Sequence, residues 1–88
     1  MLRLTRTSER HPQVTLEAEG QLVAEWVSVL EDEIRQLAAG HHRVVLDLGK
    51  VQYLDRRGVR LLRSLAAGRV SLVNCSPLVA DLLAEDTP

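Results

Sequence analysis

The residues best suited to binding or catalysis lie in one short stretch, Tyr-Leu-Asp-Arg-Arg-Gly-Val at positions 53–59. An apolar run ends there and apolar residues at helical spacing follow, so the stretch is predicted to open a helix. The first turn of a helix has free backbone N–H groups and the positive end of the helix dipole, which makes arginine unfavourable there by roughly 0.3–1 kcal/mol each. Two arginines at this place therefore need a compensating interaction, or they indicate a site that binds something acidic.

Each residue of this helix start has a structural and a functional interpretation. Asp55 is predicted to be the N-cap, accepting a hydrogen bond from the backbone N–H of Arg57 or Gly58. Gly58 is expected to let the helix start pack closely against a sheet; no glycine-rich phosphate loop surrounds it. Four arginines lie on one side of the helix: Arg56, Arg57, Arg60 and Arg63. This side is either a solvated face, partly paired with Asp55 and acids of the first helix, or a docking surface for an acidic partner or anionic ligand.

The other chemistry-bearing residues form no enzymatic constellation. The pair His41-His42 has no further histidine or cysteine at ligand spacing and His11 is isolated, so we expect no metal site. Cys75, the only cysteine, is expected to be a small buried hydrophobe unless its strand end is exposed, and it has no redox partner. With no Ser/His/Asp, Cys/His or paired-carboxylate arrangement, the sequence predicts neither an enzyme nor a cofactor.

Composition predicts the class of protein. The 88 residues, 45% hydrophobic and 26% charged, fit one globular domain spanning 1–88. No uncharged stretch approaches the roughly 20 residues that cross a bilayer, and the N-terminus lacks a signal-peptide core, so we expect a cytoplasmic protein without a transmembrane segment. The net charge is −1, and Trp26 and Tyr53 are the only aromatic residues, so nucleic-acid binding is not expected.

Periodicity predicts the element order β-β-α-β-α-β-α. The strands are expected at 2–8, at 14–19 with Gly20 ending the strand, at 43–48 with apolar residues on both faces, and at 69–74. The helices are expected at 23–39 with Gly40 as the residue after the end, at 56–67 closed by Gly68, and from Ser76 as N-cap with Pro77 at the first helical position. A hairpin followed by alternating strands and helices predicts an α/β fold, in which crossover helices pack against a mixed sheet.

Two segments carry a resemblance to a known family. The segment VVLDLGKVQYLDRRGVRLLRSLA contains a V-V-L-D-L strand, the apolar pair Tyr53-Leu54 and Asp55 to Gly58, and the segment Val73 to Pro77 reads V-N-C-S-P. This pattern resembles the STAS domain, named for sulphate transporters and anti-sigma-factor antagonists, whose helix opens with D-S-S-G or D-S-T-G. The resemblance covers nearly the whole chain and implies a STAS-like α/β fold.

The resemblance also implies a function. Bacterial antagonists of this family regulate transcription by partner switching: an anti-sigma factor that is also a kinase phosphorylates the serine before the motif glycine. The unphosphorylated antagonist binds that kinase and frees the sigma factor. In this sequence Asp55 and Gly58 match the motif aspartate and glycine, and Arg57 occupies the phosphoacceptor position. Arginine has no hydroxyl group and carries the wrong charge to imitate phosphoserine, so the usual switch is expected to be missing at the usual place.

Four functions remain open from the sequence. The first is a regulatory protein-binding module, an antagonist or scaffold whose partner is an anti-sigma factor or kinase, with Ser64 as a substitute phosphorylation site to be tested. The others are an accessory subunit of an ABC-type lipid transporter that binds its ATPase, an anion or nucleotide sensor, and a degenerate domain with a structural role, a homodimer included. The expected partner-binding set is Asp55, Arg56, Arg57, Gly58, Arg60 and Arg63.

Overall fold

A computed structural model describes residues 1–41 and 43–85 of the chain. Seven elements follow one another in the predicted order: β1 (Leu2–Arg10), β2 (Gln13–Leu22), α1 (Glu25–Gly40), β3 (Arg43–Leu54), α2 (Arg56–Ala66), β4 (Val70–Val73) and α3 (Pro77–Glu85). No helix within this described part of the chain has the length and hydrophobicity needed to span a membrane.

The four strands form one mixed sheet in the order β1-β2-β3-β4. Strands β1 and β2 form an antiparallel hairpin, whereas β2, β3 and β4 run parallel, with α1 and α2 as the crossover connections. Parallel neighbours need such crossovers, because the chain must return to the same edge of the sheet before the next strand begins. The predicted α/β fold with a mixed sheet is confirmed.

The core lies on one face of the sheet. Along β3, Val44, Leu46 and Leu48 are fully buried, while the side chains between them, Val45 and Asp47, are only half-buried. The helices contribute their fully buried residues to the same cluster: Leu30, Ile34, Leu37, Leu62 and Val79. The prediction that β3 is covered on both faces is therefore wrong, because the helices cover a single face and an apolar run marks a central strand without showing how many faces are covered.

Two predicted strand ends are wrong for one reason: the strands continue through irregularities. Gly20 does not end β2, which runs on to Leu22; it has a φ of +115°, and the register with β3 shifts directly after it. A Cβ at this position would lie 2.3 Å from the carbonyl oxygen of Met1, so the backbones approach too closely for any side chain. Strand β3 likewise continues past Leu48 to Leu54.

The helix ends differ from the prediction in smaller ways. Gly40 is the last residue of α1 and does not follow its end, and α1 begins at Glu25, two residues later than expected. Helix α2 ends at Ala66, and the N–H of Gly68 donates to the carbonyl of Leu65, so Gly68 does lie just beyond that helix.

We predict that replacing Gly20 by alanine destabilises the protein. The Gly20→Ala change forces a side chain into left-handed backbone and against the Met1 carbonyl, which should lower the free energy of unfolding by roughly 1–3 kcal/mol. Gly40→Ala is the control, because no atom lies within 4 Å of its added Cβ and alanine is the better helix former. Urea denaturation measures both, and equal stability of the two variants would contradict the assignment.

Candidate functional site

The candidate site lies where two parallel strands end side by side. Leu22 of β2 pairs with Leu54 of β3, and each strand then leads into its helix. The carboxyl ends of parallel strands share one edge of the sheet, which is where α/β proteins most often place functional residues. Asp55, between β3 and α2, lies at this edge.

The carboxylate of Asp55 joins the two strand-to-helix junctions. Its Oδ1 accepts a hydrogen bond from the N–H of Gly58 at 2.8 Å, and its Oδ2 accepts one from the N–H of Ala24 at 2.8 Å. Its own N–H donates to the carbonyl of Leu22 at 3.3 Å. The predicted N-cap role of Asp55 is confirmed, and the same side chain also holds the entry to α1.

Ala24 is a functional position that sequence reasoning missed. It has a φ of +51°, a backbone conformation that costs a residue other than glycine roughly 1–2 kcal/mol. The N–H groups of Trp26 and Val27 close the turn by donating to the carbonyls of Val23 and Ala24, which is why α1 starts only at Glu25. The bond from Asp55 stabilises this turn, and no local signal could reveal it because the partner is 31 residues away.

The charge of Asp55 explains in part why arginines are tolerated in the first turn of α2. Burial opposes its charge, but hydrogen bonds from the backbone N–H groups of Ala24, Gly58 and Arg57, together with the guanidinium of Arg57, outweigh it and hold the pKa of Asp55 below its usual range. A carboxylate is therefore fixed at the positive end of α2, beside Arg57. This negative charge offsets the unfavourable arginines of the first turn.

Gly58 allows α2 to start against the sheet. It is buried, and a Cβ there would lie 2.5 Å from the carbonyl oxygen of Leu22, so only glycine permits this approach. The predicted close packing of the helix start is confirmed. The role of Gly58 is therefore structural: its lack of a side chain allows the start of α2 to lie against Leu22 of β2.

The four arginines do not form one uniform stripe. Arg63 donates from its guanidinium to the carbonyl oxygen of Leu83 in α3, so it links two helices. The other three are exposed, and among the described side chains none has a carboxylate oxygen within 4.0 Å of its guanidinium nitrogens; we call them the α2 arginine surface: Arg56, Arg57 and Arg60. Tyr53, 47% exposed, lies two residues before Asp55.

The pairing expected between these arginines and the first helix is not observed. Acids of α1 have other partners: Glu31 and Asp32 lie 3.6 and 3.8 Å from Arg35, and Glu33 lies 3.9 Å from Arg6. The α2 arginine surface is therefore not covered by close ion pairs with these α1 acids.

The structure also shows where three other residues singled out by type and position lie. Cys75 is exposed, so the expectation of burial is wrong; β4 ends at Val73, and Cys75 lies in the loop before α3. Ser76 caps α3 as predicted, its Oγ accepting from the N–H of Val79 at 3.2 Å. Asp47 accepts from the N–H of Gly49 and from the side chain of Asn74, which ties the middle of β3 to the residue that follows β4.

The histidines give no metal centre in the part of the chain that can be described. Within residues 1–41 and 43–85, no group of three or more His, Cys, Asp or Glu side chains is arranged to hold a metal ion. His41 lies at the end of α1, where its ring contacts Glu9 and the carbonyl of Leu37. His42, the other half of the predicted pair, lies outside the described residues.

We predict that Asp55 makes stability depend on pH in the acid range. A pKa below its unfolded value of 3.8 means that its contribution is complete above that value and is lost as pH falls through the folded-state pKa. Wild type should exceed Asp55→Asn by about 1 kcal/mol at neutral pH, because the amide keeps one of the two acceptors, and the difference should shrink in acid. Urea denaturation from neutral pH down to about pH 2.5 measures it.

Asp81→Asn is the matched control, because Asp81 is exposed on α3 and makes no hydrogen bond or ion pair with the described residues. At neutral pH wild type should exceed Asp81→Asn in stability by much less than it exceeds Asp55→Asn. A wild-type advantage over Asp55→Asn that stays constant or grows in acid would contradict the assigned role of Asp55.

Comparison with known proteins places this geometry in a family. A family model described as "Mlab, STAS domain" matches residues 5–85. Among solved structures, the anti-sigma factor antagonist SpoIIAA in its unphosphorylated form is similar at a TM-score of 0.68 and 18% sequence identity, over 93% of this chain and 82% of that chain. Among curated proteins, none matches the sequence significantly. The family match spans almost all of the described fold, and the chain belongs to the STAS domain family.

Proposed function

We propose that this STAS domain is a regulatory module that binds an acidic surface of a protein partner through the α2 arginine surface. The observation that carries the proposal is a set of three exposed arginines on a helix whose start is fixed by Asp55, and no carboxylate oxygen of the described residues lies within 4.0 Å of their guanidinium nitrogens. The domain acts by non-covalent binding, and no catalytic step is assigned to it.

The chemistry of the surface suits a protein carboxylate. Guanidinium groups pair with carboxylates through two parallel hydrogen bonds, which gives direction as well as attraction. Arginine and tyrosine are also enriched in protein interfaces, and exposed Tyr53 lies next to the helix start. Because no carboxylate oxygen of the described side chains lies within 4.0 Å of the guanidinium groups of Arg56, Arg57 or Arg60, an acidic partner would not have to displace a close ion pair.

We propose that phosphorylation at the motif does not switch the partner binding of this domain. SpoIIAA is described as an anti-sigma factor antagonist with an unphosphorylated form, which supports a protein of the anti-sigma-factor type, a kinase included, as the partner by analogy of fold. In this chain residue 57 is an arginine, whose side chain cannot accept a phosphoryl group. Regulation would then come from the amount of the protein or from its partner.

The second partner class is the alternative in which the domain is an accessory subunit that binds the ATPase of an ABC-type lipid transporter. An anion or nucleotide sensor is less favoured, because the carboxylate of Asp55 already occupies the N–H of Gly58 and adds negative charge at the helix start. Both partner classes are proposed to bind the α2 arginine surface, and the capture experiment distinguishes between them.

We predict that reversing the charge of the α2 arginine surface abolishes binding. Affinity capture from the native lysate with wild type should recover a partner, and the Arg56→Glu/Arg57→Glu/Arg60→Glu variant should bind it at least tenfold more weakly, a loss of about 1.4 kcal/mol or more. Mass spectrometry of the recovered protein distinguishes an anti-sigma factor or kinase from a transporter ATPase.

The matched control is Arg10→Glu/Arg43→Glu/Arg69→Glu, which changes the net charge equally at exposed arginines outside α2. It should retain the partner. Equal retention by both triple variants, or no partner with wild type, would contradict the proposal. Phosphate on Ser64 in cells, accompanied by loss of binding, would contradict the proposed absence of a phosphorylation switch.

A further inference from the structure

The turn between β1 and β2 is fastened to the end of α1 by the ring of His41. Its Nδ1 lies 3.0 Å from the carbonyl oxygen of Leu37, and its Nε2 lies 2.6 Å from Oε2 of Glu9 near the end of β1. Only 12% of the His41 side chain is exposed. The contact joins two elements that are far apart in sequence and takes no part in the α2 arginine surface.

The hydrogen-bonding groups around the ring require a particular protonation state. The Leu37 carbonyl and the Glu9 carboxylate are both acceptors, and neither can donate. A neutral imidazole has one N–H and one lone pair, so one of its nitrogens would direct a lone pair at an acceptor. Only the imidazolium form of His41 can donate to both acceptors at once. The 2.6 Å between Nε2 and Oε2 of Glu9 lies just below the roughly 2.7–2.9 Å usual for a charge-assisted N–H···O bond.

From this we infer that His41 is a proton-dependent latch: as an imidazolium it ties Glu9 of the β1–β2 hairpin to the last turn of α1 through both ring nitrogens, and loss of one ring proton leaves a donor for only one of the two acceptors. The inference is independent of the proposed protein partner. The position of the ring is also favourable for a cation, because the carbonyl groups at the C-terminal end of a helix carry partial negative charge. The latch is therefore stronger with the charged ring than with the neutral one.

The neighbouring charges give Glu9 an alternative partner. Arg6 lies 3.7 Å from Oε1 of Glu9 and 3.9 Å from Glu33 of α1, so Glu9 keeps an ion pair within its own strand when the ring becomes neutral. The ring of His11 in the turn lies 6.4 Å from that of His41. Arg43 at the start of β3 is attached to the same turn through its N–H, which donates to the carbonyl of Pro12.

One carboxylate is therefore shared between the His41 ring and the guanidinium of Arg6. Glu9 has a charged partner on both sides while His41 is an imidazolium, and Arg6 is its only charged partner of the two when the ring is neutral. Strand β1 lies at the edge of the sheet, and its second half is exposed. A single bond at the hairpin end can therefore change the local order there.

A double-mutant cycle tests the latch with the full chain. Tm is measured for wild type, His41→Gln, Glu9→Gln and the double variant near pH 5.5 and near pH 8.5, on either side of the range in which histidine changes charge. We expect a coupling of about 2–5 °C between the two positions at the lower pH and a clearly smaller one at the higher pH. The cycle cancels the loss of the Arg6–Glu9 pair, which is common to both variants at position 9.

His11→Gln is the matched control, since it removes the neighbouring ring without touching the latch, and the coupling should survive it. As a second readout, the His41 ring N–H facing Glu9 should be visible by NMR near pH 5.5 and should disappear into solvent exchange in Glu9→Gln. Coupling that is absent at both pH values, or equal at both, would overturn the inference, as would a ring N–H signal unaffected by Glu9→Gln.

Discussion

One carboxylate at the edge of the sheet holds this fold's two neighbouring strand-to-helix junctions in register. The oxygens of Asp55 accept from Gly58 on one side and from Ala24 on the other. The first bond starts α2, and the second stabilises the left-handed turn that sends the chain into α1. The position of the α2 arginine surface relative to the rest of the domain therefore depends on a single side chain, assisted by the close approach of Gly58 to Leu22.

The same carboxylate explains how arginines are tolerated at the start of a helix. The free N–H groups there and the charge of Arg57 favour a carboxylate, and Asp55 supplies one that stays ionised because its pKa is lowered. The negative charge is directed at the backbone, whereas Arg56 and Arg60 are exposed to solvent. The helix start is therefore basic at its surface while its own backbone donors are partly satisfied by Asp55, whereas a phosphate-binding helix start keeps those donors free for the ligand.

The sequence could predict those features that depend on residues close to one another along the chain. The order of elements followed from periodicity, and the caps Asp55 and Ser76 followed from residue type and position, because each bonds to a backbone group three residues ahead. Features that depend on distant segments could not be predicted. The bond from Ala24 to Asp55, the contact of Arg63 with Leu83 and the close approach of Gly20 to Met1 exist only once strands and helices are packed. The burial of β3 on one face likewise depends on where the helices lie.

The most direct test of the central claim is amide hydrogen exchange at Ala24 and Gly58, measured by NMR in wild type and in Asp55→Asn. A carboxylate offers two acceptor oxygens and an amide offers one, so both amides should be protected in wild type and only one should remain protected in the variant. An exchange rate at least tenfold faster at one of the two positions, with the core amides unchanged, is the result we expect. Equal protection of both amides in the two proteins would show that Asp55 does not couple the junctions.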